Sequence, residues 1–72
     1  MIVKRRELMK KIANAAKEQG LDWGFARQGG SHEIWKLDGL AVSIPRHNEI
    51  NQLTAEGILD HLNTKLGKGW WQ

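Results

Sequence analysis

Three histidines, His32, His47 and His61, are the side chains of this 72-residue sequence whose ordinary pKa lies near neutrality. Fifteen and fourteen residues separate them, so no two stand at the helical or hairpin spacing of a metal-ligand pair. The sequence has no cysteine and no clustered carboxylates, and no glycine loop follows a P-loop or dinucleotide pattern. Neither a metal nor a cofactor is expected.

His32 carries the most information. It follows Gly29-Gly30-Ser31 at the start of an extended run, where glycines let another backbone or a phosphate approach closely. Residues two and four apart share a face of a strand, so Ile34 and Lys36 are expected on the side of His32. Cutting RNA without a metal needs a base for the 2′-hydroxyl proton and an acid for the leaving 5′-oxygen. It also needs positive donors for the charge that builds on phosphorus. An imidazole suits either proton role, and Arg27, Lys36 or Arg46 can hold the phosphate. A surface-turn histidine without any chemical role satisfies the same spacing. His47, beside Pro45 and Arg46, is either a second proton carrier or a loop hydrogen-bonding group, and His61 reads as solvated on the polar side of a helix.

The elements that must position these residues are legible from periodicity. Leu8, Ile12, Ala15 and Ala16, with Met9 alongside, recur at helical spacing between Lys4 and Gln19, and Gly20 ends the run. Arg6, Lys10 and Lys17 fall together elsewhere on the same wheel as a basic ridge. From Leu21 to Ile44 the period changes to two. Trp23 and Phe25 alternate with small or polar residues, Gly29-Gly30 interrupts, and Ser31 to Leu37 runs extended. Asp38-Gly39 then marks a hairpin, and Leu40, Val42 and Ile44 form one face of a third strand that Pro45 ends.

A second helix is expected from Thr54 to Leu66, with Thr54 as N-cap, Leu53 and Ile58 as a hydrophobic staple, and Gly67 at its end. Gly57 weakens that helix unless a close approach requires it. The order is therefore αβββα. This α+β layout places two helices on one face of a three-stranded antiparallel sheet and matches the double-stranded-RNA-binding-domain fold. Residues 1–72 read as a single domain with a core at about 4–66. Trp23, Phe25 and Trp35 read as packing residues rather than base-stacking platforms.

Eleven Lys and Arg against eight Asp and Glu leave a formal charge of +3, with Lys4, Arg5, Arg6, Lys10, Lys11 and Lys17 all in the first quarter. A polyanion is the natural partner, and the ridge of Arg6, Lys10 and Lys17 suits an RNA backbone. A lysine-rich solvated helix surface gives the same composition. No apolar stretch approaches the ~18 residues of a membrane span, and the N-terminus lacks the apolar core of a secretory signal. A reducing cytoplasm suits a chain without cysteine.

The segment Arg27-Gln28-Gly29-Gly30-Ser31-His32-Glu33-Ile34-Trp35 is followed by Val42-Ser43-Ile44-Pro45-Arg46-His47-Asn48-Glu49-Ile50 and by Thr54-Ala55-Glu56-Gly57-Ile58-Leu59. In order, spacing and size these segments resemble the HicA toxin family over roughly residues 4–66. The resemblance implies a compact αβββα toxin that cleaves messenger RNA without a metal. It also implies that the histidine of the Gly-Ser-His segment, here His32, is catalytic, with Gly30 and Ser31 supporting it. A HicB-type antitoxin, encoded beside the toxin, is implied as protein partner. Gly29 stands where many members carry a basic residue, and the tail Lys68-Gly69-Trp70-Trp71-Gln72 lies outside the family pattern. Two other readings use the same residues: a non-catalytic module that grips duplex RNA, and a DNA-binding regulator, for which no helix-turn-helix pattern is visible.

Overall fold

Burial in a computed structural model, which describes residues 2–67, begins with the alternation of the strands. The chain runs β1 (Ile2–Lys4), α1 (Arg5–Gln19), β2 (Trp23–Gly29), β3 (His32–Leu37), β4 (Leu40–Pro45), β5 (Glu49–Asn51), α2 (Gln52–His61) and α3 (Asn63–Leu66). The expected αβββα order holds, with a short β1–β5 pair and a one-turn helix added. Strands β2, β3 and β4 form an antiparallel sheet in that order, with β3 central. Leu37, Val42 and Ile44 point from it into the interior, at 0%, 4% and 0% exposure. There they meet Leu8, Ile12 and Ala16 of α1 and Ala55, Ile58 and Leu59 of α2. Each of the Leu, Ile and Val side chains contributes about 1.5–3 kcal/mol on burial, and among the described residues no polar residue is buried.

Two tight turns set the register of the sheet. Asp38 and Gly39 both have positive φ, 51° and 87°, as a type I′ hairpin turn requires, and they pair Leu37 with Leu40. Gly30 has φ 58° at the first central position of the other turn, the type II′ requirement, and pairs Gly29 with His32. Helix α1 closes as a Schellman motif: Gly20 has φ 69°, its N–H donates to Lys17 O at 3.2 Å, and the Leu21 N–H donates to Ala16 O at 2.8 Å.

The second helix departs from the expected boundaries at both ends. Its N-cap is Asn51, whose Oδ1 accepts from the Leu53 N–H at 2.8 Å, and Thr54 lies inside the helix. Leu53 is 78% exposed and forms no staple; Ile50 and Ala55, at N′ and N4 of the true start, are both 2% exposed. The reason is pairing: β5 lies against β1 through Ile2 and Asn51, which holds the chain extended until the helix begins. At the other end the helix breaks at Leu62, which is wholly buried, and resumes as α3. Trp70 and Trp71 lie outside the described residues.

Asn51→Ala should therefore cost about 1 kcal/mol of stability, whereas Thr54→Ala should change it by less than about 0.5 kcal/mol, as read from urea denaturation midpoints. A side chain at Gly57 meets no heavy atom within 4 Å, so no close approach requires the glycine. Gly57→Ala should raise stability by about 0.5–1 kcal/mol, seen as a higher melting temperature.

Candidate functional site

The Gly30-Ser31 turn brings three segments together at His32. Gly29 pairs with it from β2 and Pro45 from β4, and the Arg46 N–H donates to Ser31 O at 3.1 Å. His32 is exposed, and its Nδ1 lies 3.1 Å from the Ser31 hydroxyl. A hydroxyl rotates to donate or to accept. With Ser31 donating to Nδ1, the proton of a neutral ring sits on Nε2; with Nδ1–H donating to Ser31, Nε2 is a free base. Either way Nε2 is left for a ligand.

Ile34 and Lys36 share the face of His32, as expected, because Leu37 takes the opposite, buried side. Arg27 reaches this face by a device that the sequence does not announce. The pairing of β2 with β3 skips a residue between Phe25 and Arg27, a β-bulge at Ala26. Before it Phe25 pairs with Trp35 on the helix side; after it Arg27 pairs with Ile34 on the outer side. The outer face is therefore three rows across three strands: Gly24, Lys36 and Ala41; Arg27, Ile34 and Ser43; Gly29, His32 and Pro45. All but Pro45 are exposed or half-buried. None of the nine is a carboxylate.

The acid of β3, Glu33, faces the other way and is neutralised there. Its carboxylate pairs with the Arg5 guanidinium and accepts the Trp35 indole N–H at 3.0 Å. Arg5 also donates from Nε to Pro45 O at 2.8 Å, and its backbone N–H donates to Asn48 O at 2.8 Å. One side chain thus ties the start of α1 to β3, the strand of His32, and to β4 beside it. The indole hydrogen bond, and after it the charges of Arg5 and Arg46, hold the Glu33 carboxyl below its ordinary 4.5 against partial burial.

The remaining candidates are dispersed. Arg46 is beside Ser31 through its backbone, while its charge acts on Glu33. His47 is exposed in the loop between β4 and β5. Arg6, Lys10 and Lys17 are exposed on the side of α1 opposite Leu8, Ile12 and Ala16, hence on the far side of the helix layer from His32. His61 is exposed, but its Nε2 lies 2.9 Å from Ala41 O on the free edge of β4. Trp23 and Trp35 stack with centroids 5.0 Å apart on the helix side, and Phe25, 54% exposed, meets Trp35 edge-on at 5.8 Å. Sequence reasoning missed Arg5 as a tie and Ala26 as a bulge. A bulge at alanine carries no compositional signal, and Arg5 was indistinguishable from its basic neighbours. Among the described residues, no three His, Asp or Glu side chains gather as a metal-holding group, and no helix is long and apolar enough to cross a membrane.

A two-layer α+β chain with cations and a histidine on an open sheet face, and its acids placed elsewhere, has the electrostatics of an anion-contacting protein. Comparison with known families is specific: residues 6–63 match the family described as the HicA toxin of bacterial toxin-antitoxin systems. The chain belongs to that family, and membership implies an antitoxin partner. No curated protein and no solved structure gives a match.

Because folding lowers the Glu33 pKa, its pairing stabilises the protein above 4.5 and loses that effect as pH falls through the folded value. Urea midpoints of the wild type should therefore fall more steeply below pH 4.5 than those of Glu33→Gln. Parallel acid limbs would show that the pair does not contribute.

Proposed function

We propose that the chain is a metal-independent endoribonuclease toxin that cuts messenger RNA with His32 as its catalytic residue. The observation that carries this reading is the exposed imidazole at the Gly30-Ser31 turn, with the Ser31 hydroxyl on Nδ1 and Nε2 open. His32 Nε2 takes the 2′-hydroxyl proton, and the 2′-oxygen forms a bond to phosphorus as the bond to the 5′-oxygen breaks. The products are a 2′,3′-cyclic phosphate and a 5′-hydroxyl, the latter protonated by an imidazolium. His47 is the candidate second carrier. Arg27, Lys36 and Arg46 supply positive charge to the phosphates, and the glycine corner at Gly30 leaves room for them. The reading places the protein in the cytoplasm, where a HicB-type antitoxin neutralises it by covering His32. The basic ridge of Arg6, Lys10 and Lys17 is available to outlying phosphates.

Expression of the wild-type chain should arrest growth and fragment messages. His32→Ala should fold with an unchanged melting curve yet cut RNA slower by about 10²–10⁴-fold. Purified protein in EDTA should leave fragments with cyclic phosphate ends. An alanine variant as fast as the wild type removes His32 from the chemistry, and intact RNA retarded on a gel indicates a binding module instead.

A further inference from the structure

We propose that the outer face of the β2–β3–β4 sheet is the track for an unpaired RNA strand, with the cut linkage at His32 and Lys36 holding the phosphate of a more distant linkage. The proposal deepens the ribonuclease reading above and rests on it for the position of the cut.

Three observations carry it. The first is charge: the nine residues of its three rows include Arg27, Lys36 and His32 and no carboxylate, because alternation sends Glu33 to the far side, where Arg5 neutralises it. The α1 ridge has no such purity, since Glu7 and Glu18 share the groove lined by Lys10 and Lys11. The second is shape. Gly24 and Ala41 flank Lys36, and Ser43 flanks Ile34, so small side chains leave the cations standing above a shallow surface. Outer strands at ~4.8 Å spacing lie about 10 Å apart, which suits one strand of nucleic acid. The third is register. Rows two residues apart are separated by about 6.7 Å, so Arg27 is one row from His32 and Lys36 lies about 13 Å along β3. Arg27 is near enough to serve the linkage being cut; Lys36 serves another.

The chemistry asks for the same substrate. The attacking 2′-oxygen must line up opposite the leaving 5′-oxygen, which a stacked duplex prevents and an unstacked strand permits.

The test measures binding and cutting separately. A side chain at Gly24 meets no heavy atom within 4 Å, so Gly24→Glu sets a carboxylate beside Lys36 in open space. Ser43→Glu does the same beside Ile34. Thr64→Glu, exposed on α3, controls for net charge, and melting curves verify that all three fold. In the His32→Ala background, Gly24→Glu and Ser43→Glu should each weaken binding of a single-stranded RNA oligonucleotide at least about tenfold, and Thr64→Glu by less than about twofold. Lys10→Glu with Lys17→Glu should weaken it less than Gly24→Glu alone. Lys36→Ala should lower the slope of log affinity against log salt by about 0.7, and in the otherwise wild-type enzyme raise KM with kcat held. A duplex of the same sequence should bind more weakly than the single strand.

Binding that ignores the sheet substitutions and follows the ridge, or that prefers the duplex, overturns the track. If the sheet substitutions abolish binding but His32→Ala still cuts at the wild-type rate, the track stands and the role of His32 falls.

Discussion

Burial of Leu37 is the constraint on which the candidate site depends. Side chains alternate strictly along a strand, so a wholly buried Leu37 at the end of β3 commits Trp35 and Glu33 to the helix side and Lys36, Ile34 and His32 to the outside. A slip of one residue would drive His32 into the core and expose the Trp35 ring. The type I′ turn at Asp38-Gly39 fixes the register at one end of β3. Arg5 fixes the other end, bonding Pro45 O on β4 and pairing with Glu33 on β3. The histidine is thus aimed by contacts on the face it does not occupy.

The bulge at Ala26 completes what alternation alone would not. In an unbroken β2, Arg27 would follow Trp23 and Phe25 onto the helix side, where the Glu33 carboxylate lies. One extra residue turns it outward to Ile34 instead. A net charge of +3 is modest, but its distribution is not uniform. Arg5 is consumed internally by Glu33, and Lys4 by Glu49 at 2.7 Å. The outer sheet keeps its cations unopposed by any carboxylate in its own rows. Local segregation, more than total charge, decides where a polyanion settles.

Much of this was legible in the sequence where one physical signal dominated. The apolar stripe of α1, the Asp38-Gly39 hairpin, the end of β4 at Pro45 and the shared face of His32, Ile34 and Lys36 all follow from periodicity or turn chemistry. The strands β1 and β5, three residues each, are too short to show a period. Missing them displaced the start of α2, because their pairing is what makes Asn51 rather than Thr54 the cap. The break at Leu62 escaped for a related reason. Leu59, Leu62 and Leu66 keep helical spacing across it, so the apolar pattern is blind to the change in backbone. Within the candidate site, the placement of Ser31, His32 and Lys36 follows from local order, whereas Arg5 acts on residues 28 and 40 positions away.

Among the described residues, the exposed His32 ring has the neighbouring Ser31 hydroxyl as its hydrogen-bonding partner. On the ribonuclease reading the substrate completes the site: its phosphates lie beside the ring, and the cations of the face hold them in place. A site built this way is simple to complete and equally simple to block. Among the described residues, every member of the outer rows except Pro45 is exposed or half-buried. Membership of a toxin family implies an antitoxin partner, and on the ribonuclease reading this face is a surface that such a partner can cover. On that reading, the exposure that would let a long polymer reach His32 is the same property that would let a protein cover it.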